Sequence, residues 1–167
     1  MIDAVWTDNL IRVLELENKF YAQILEEAEK KTDIIVKGDV QALEETTIRE
    51  QKIVKELEKL NSAREQIVVQ IARKLGKKPA EVTASCLAEI LPEDKAKKLL
   101  SVRDSLRETI EKLKARNDTN QKLLENAIEY INFSLNLYMQ PAPQTTQYGR
   151  KGAEKQINGG SVLDIKY

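Results

Sequence analysis

An all-α fold is expected for this 167-residue chain: an elongated antiparallel bundle of three long helices and one short one, followed by an extended tail. Three observations lead there. Apolar residues recur at three-and-four spacing over long stretches, the stripe of a helix that packs against other helices. Aromatics make up only 5% of the chain and there are six glycines, a composition that suits helices better than sheets. Two Gly-containing breaks, at Lys37-Gly38-Asp39 and Gly76, carry the residue types that end one helix and start the next.

The first helix is expected over residues 3–37. Its stripe is Trp6, Leu10, Val13, Phe20 and Ile24, with Leu14, Tyr21, Leu25 and Ala28 on the adjoining row. Gly38 suits the left-handed position after a helix, and Asp39 is a good N-cap for the next. So short a turn makes its two helices antiparallel neighbours. The second helix, 40–75, has Leu43, Ile53, Leu57, Leu60, Ile67 and Ile71 as its seam. Its first turns, with Glu44, Glu45, Thr46 and Thr47, are polar and are expected to be less buried. Gly76 closes it, three residues before Pro79. Thr83 then caps a short helix, 83–90, through Cys86, Leu87 and Ile90.

The last helix is expected over 92–139, roughly 48 residues and about 70 Å long. Pro92 suits a first turn, and Glu93 and Asp94 complement the helix dipole. It exceeds either earlier helix by about ten residues, enough for part of it to overhang them. Its stripe runs Leu99, Leu106, Ile110, Leu113, Asn117, Asn120, Leu124, Ala127, Ile131, Leu135 and Tyr138. The two asparagines fall within about 40° of the stripe's centre. A buried amide costs stability unless paired, so such residues usually fix register or make a polar contact. Residues 1–139 thus form the expected bundle. From Gln140 the composition changes: Pro141, Pro143, Gly149, Gly152, Gly159 and Gly160 give 140–167 little intrinsic structure. Only 161–167, Ser-Val-Leu-Asp-Ile-Lys-Tyr, alternates apolar and polar as a short strand or docking peptide does.

Lys and Arg number 27, as do Asp and Glu, so the formal net charge is zero and nothing points to nucleic acid or an anionic membrane. No apolar stretch is long enough to insert in a membrane, and no secretory signal is visible. One cysteine, Cys86, leaves no internal disulfide and fits a reducing compartment, so a cytoplasmic location is expected. There is no histidine, which removes the commonest general base and a common metal ligand. Cys86 without histidine lacks the usual nucleophile–base pair and reads as a small apolar residue. The carboxylates are interleaved with lysines, as in Glu108, Glu111 and Lys112, the pattern of a solvated helix face. The expectation is a non-enzyme without cofactor or metal.

A surface for a partner is expected late in the last helix. Leu123, Tyr130, Phe133 and Leu137 form a second apolar row about 100° to 180° from the first. Ser105, Lys112 and Arg116 hold comparable angles earlier in the helix and are polar. Either the other helices cover both rows, or one row is left for a partner helix.

The arrangement Leu113-x3-Asn117-x2-Asn120-x2-Leu123-Leu124-x3-Ile128 on a long last helix resembles the FlgN-like flagellar export chaperones. So do Tyr148-Gly149-x2-Gly152, the Ser161-x2-Leu163-Asp164-x-Lys166 ending, and the Thr83-x3-Leu87 short helix. The resemblance covers the whole chain in order; the neutral charge departs from the acidic character common among secretion chaperones. It implies a cytoplasmic helical protein that binds hook-associated flagellar proteins through their C-terminal segments. Such a protein prevents premature assembly of its clients and delivers them to the flagellar type III export gate. It maps client binding to Asn117, Asn120, Leu123, Leu124, Tyr130, Phe133, Leu137 and Tyr148. The alternative is a non-catalytic coiled-coil scaffold, with the second row used for self-association.

Overall fold

The computed structural model describes residues 4–139. Its helices are α1 (Ala4–Lys37), α2 (Val40–Leu75), α3 (Ala84–Ala88) and α4 (Glu93–Met139), with a 3-10 turn at Pro79–Glu81. No strand occurs among the described residues, and the all-α architecture of three long helices and a short one is the expected one. The local signals act as anticipated. Gly38 (φ 69°) and Gly76 (φ 64°) take the left-handed conformation that L side chains disfavour. The Asp39 carboxylate accepts from the Ala42 N–H at 3.0 Å, and the Thr83 hydroxyl from the Cys86 N–H at 3.1 Å. Two details differ. The 3-10 turn was not anticipated; Pro79 opens it and the Glu81 carboxylate accepts from the Lys78 N–H. α3 stops at Ala88, leaving Ile90 half exposed outside it.

Packing divides the chain after Leu124. Within the first unit, partners on facing helices give the topology. Arg49 reaches Glu27 and Arg64 reaches Glu17, so α1 and α2 run antiparallel. Lys95 pairs with Asp8, Ser105 and Thr109 with Asn18, and Asn120 with Ala28, so α4 runs parallel to α1. α1 and α2 are the closest pair.

The core is layered. One apolar cluster joins Leu10, Ile11, Ile67, Ile71, Leu87 and Leu99, so α3 and the connector close that end. A second joins Ile24, Ala28, Leu57 and Leu113. Between them along α1 sits a polar layer. Glu17, 4% exposed, pairs with Arg64 at 3.0 Å, and Asn18 bonds Ser105 and Thr109, each at 2.9 Å. Beyond the second cluster comes another polar layer, with the Lys31–Glu50 pair, Thr46 and Asn120. No described buried side-chain nitrogen or oxygen lacks a partner. Buried polar groups of this kind cost stability unless satisfied, and these are.

The burial pattern corrects three sequence expectations. The start of α2 is not simply its exposed end: Thr46 is fully buried, its hydroxyl accepting from Arg49 at 2.9 Å. Thr7, Ile11, Glu17 and Ile35 are buried in α1 although they lie off the expected stripe. The α4 seam is displaced from the expected one. Leu99, Leu113 and Asn120 are buried at seven-residue steps, with Leu106 half-buried between them. Val102, Thr109 and Arg116, three residues after Leu99, Leu106 and Leu113, are half-buried beside that row, Val102 against the first cluster and Thr109 bonded to Asn18. Ile110 and Asn117, three residues before Leu113 and Asn120, fall on the opposite side of the row and are exposed.

Candidate functional site

Asn120, at 3% exposure, belongs to the bundle. Its Nδ2 donates to the Ala28 carbonyl at 2.7 Å, and its Oδ1 accepts from the Thr32 hydroxyl at 2.7 Å. Both partners lie on α1, one turn apart, so the amide clasps α4 to α1 at one register. Asn117 is exposed and takes no part in the clasp. The two asparagines expected to act together are therefore separated: Asn120 lies on the seam and Asn117 on its solvent side. Thr32 was not anticipated as the partner; a Thr four residues after a small Ala in the α1 stripe was the available signal.

Up to this point the exposed face of α4 is charged and self-paired. Glu108 meets Lys112 at 2.6 Å and Arg107 meets Glu111 at 3.0 Å, one helical turn apart. The ammonium of Lys112, hydrogen-bonded to Glu108, holds that carboxyl below its ordinary value, and the carboxylate raises Lys112 in turn. Partner pairs between α1 and α4 lie 83 to 92 residues apart.

The described part of the second unit, residues 125–139, is the C-terminal stretch of α4 and has a different surface. Ile128, Tyr130, Ile131, Phe133, Leu135, Leu137, Tyr138 and Met139 are all more than half exposed, from 52% at Leu135 to 89% at Tyr138. Its only charged residues are Glu125 and Glu129. On a helical wheel two faces emerge. Ile128, Ile131, Leu135, Tyr138 and Met139 fall within about 100°, and Tyr130, Phe133 and Leu137 within about 60° on the other side. Asn132, Asn136 and Glu129 separate them along one edge, Ser134 along the other.

Of the expected partner-binding residues, Tyr130, Phe133 and Leu137 thus share an exposed row. Leu123 and Leu124 are half-buried just before it. Tyr148 lies outside the described residues. Ile131, Leu135 and Tyr138 were expected as core seam; they are instead exposed, because none of the described residues covers them. Neither arm of the expected choice, one row covered or both, describes it: among the described residues both rows are open.

The model of the family described as FlgN protein matches residues 1–156. The chain belongs to the FlgN family. No curated protein and no solved structure matches it. FlgN proteins are chaperones of flagellar assembly. No helix among the chain's described residues is long and apolar enough to cross a membrane. Cys86, half-buried beside the Lys77 ammonium at 3.1 Å, lies on α3, apart in sequence from the exposed apolar surface.

Proposed function

We propose that this chain is a cytoplasmic, substrate-specific chaperone of flagellar type III export. It binds the C-terminal helical segments of hook-associated proteins, keeps them from assembling early, and delivers them to the export gate. The family supports the class of activity. The observation that carries the reading here is the exposed apolar surface of residues 128–139 on a helix whose preceding half is charged and satisfied. An amphipathic segment that stays unfolded until assembly exposes an apolar face that invites aggregation. Laying it against Tyr130, Phe133 and Leu137 removes both exposed surfaces from water; Leu123 and Leu124 enter the reading through the family resemblance. Tyr and Phe are the residue types that anchor such contacts. Ordering the client segment offsets part of the gain, which keeps affinity moderate and release feasible. Asn120 holds α4 to α1, whereas Asn117 and Tyr148 enter this reading through the family resemblance alone.

The test is sizing of the purified chain alone and with a C-terminal fragment of a hook-associated protein. A 1:1 complex that Tyr130→Asp or Phe133→Asp abolishes, with helicity unchanged by circular dichroism, supports the chaperone. A homodimer that the same changes split, with no fragment bound, supports the self-associating scaffold instead.

A further inference from the structure

The face formed by Ile128, Ile131, Leu135 and Tyr138 lies about 150° from the Tyr130–Phe133–Leu137 row and has no part in the client reading. It does not continue the bundle seam. The seven-residue step of Leu99, Leu106, Leu113 and Asn120 leads next to Ala127 and Ser134, side chains too small to fill a seam. The face instead starts a step of its own, at intervals of three, four and three residues, the spacing of a coiled-coil contact. That order reads the same in both directions. Two copies laid antiparallel about a two-fold axis therefore set Ile128 of each against Tyr138 of the other, and Ile131 against Leu135. The three-and-four order of the Tyr130–Phe133–Leu137 row does not reverse onto itself, and a two-fold pairing there crowds Phe133 against its own copy. The borders of the face also suit close approach. Ala127 and Ser134 line one edge and Asn132 the other. Glu129, the only charged residue between positions 126 and 139, lies about 140° from the centre of the face, so no charge there has to leave water. The four residues, and Met139 beside them, are more than half exposed. Covering them in both copies removes on the order of 1,000 Å² from water, the size at which a specific protein contact begins.

We infer that residues 128–138 pair antiparallel with the same residues of a second copy of this chain, through Ile128, Ile131, Leu135 and Tyr138. Each copy keeps its Tyr130–Phe133–Leu137 row open for a client. A contact of this area stands at the low end of specific interfaces, so the pair forms and parts at micromolar concentrations. The pairing itself does not rest on the client reading; the division of the helix into a self face and a client face does.

Sedimentation equilibrium of the full-length chain tests the pairing. The expected mass rises from one chain to two with concentration. Ile131→Asp and Leu135→Asp are each expected to weaken the dimer more than tenfold with helicity unchanged, and Phe133→Asp less than about twofold. A chain that stays monomeric up to about 0.5 mM overturns the inference, as does a dimer that Phe133→Asp splits and Ile131→Asp leaves intact. Direction is read from nitroxide pairs at Asn126→Cys and, separately, Lys122→Cys, both exposed and turned away from the face, in a Cys86→Ser background. Antiparallel pairing lengthens the distance between like labels by roughly 8 Å from the first site to the second. Equal distances mean parallel pairing and overturn it. With the hook-associated fragment, Ile131→Asp is expected to bind with affinity unchanged within about twofold, because the client row is intact. Fragment binding lost together with the dimer contradicts the two-face division. Fragment that binds neither chain, with the dimer intact, removes the client reading and leaves the pairing in place.

Discussion

Asn120 and Asn117 look equivalent in the sequence and do different work. Asn120 gives one hydrogen bond to a backbone carbonyl and takes one from Thr32, both inside the bundle. Removing the amide leaves the Thr32 hydroxyl only its longer contact to the Ala28 carbonyl, at 3.3 Å, and opens a gap at a buried position. Asn120→Ala is therefore expected to lower the unfolding free energy by about 1–3 kcal/mol in urea titrations. Asn117→Ala, at an exposed position, is expected to change it by less than about 0.5 kcal/mol. Equal effects at the two sites would contradict this difference in burial. Glu27 is the residue through which acid reaches the bundle. The hydrogen bond from Arg49, at 2.8 Å, holds its carboxyl below the ordinary value of 4.5, outweighing partial burial, with Lys30 acting in the same direction. A carboxyl lowered by folding contributes stability above its unfolded value, and that contribution is lost as pH falls through the lower folded value. Urea midpoints should thus fall as pH drops below about 4.5, and less steeply in Glu27→Gln. Identical profiles would show that the pair contributes nothing measurable.

At the scale of elements, the helix boundaries were legible because each rests on local chemistry. Gly38, Asp39, Gly76 and Thr83 end or start helices through their own conformations and hydrogen bonds, whatever packs around them. The 3-10 turn at Pro79–Glu81 escaped because its signal is a single proline and one back-reaching carboxylate. What the sequence could not show is which apolar residues find a neighbour. The stripe from Leu99 to Tyr138 is continuous in pattern, yet it is buried at Leu99 and Leu113 and exposed at Ile131, Leu135 and Tyr138. Periodicity states which residues share a face; burial also needs a second helix opposite, and that depends on the register between elements. The aromatic row of the site was legible as a departure from that pattern, whereas the opposite face was hidden by agreeing with it. This contrast has a measurable consequence. Leu99→Ala, at a fully buried position, is expected to cost about 2–5 kcal/mol of stability. Leu137→Ala, on the open surface, is expected to leave stability within about 0.5 kcal/mol while weakening client binding.

At the scale of the whole molecule, the chain separates holding from presenting. Residues up to Leu124 carry two apolar clusters, two polar layers and their internally satisfied charges. The stretch from Glu125 carries an apolar surface that this packing does not use. An ordinary stable helix would not keep Tyr130, Phe133 and Leu137 in water, because covering them is worth more than leaving them exposed. Under the proposed function a partner that arrives later accounts for their exposure, and membership of a chaperone family supplies a reason for one. Hydrogen exchange on the full-length chain, with and without the C-terminal fragment of a hook-associated protein, tests this most directly. The account predicts new protection concentrated at residues 128–139, with exchange in the Leu10–Ile71 and Ile24–Leu57 layers unchanged. Fragment that binds with protection elsewhere, and none at 128–139, would contradict it.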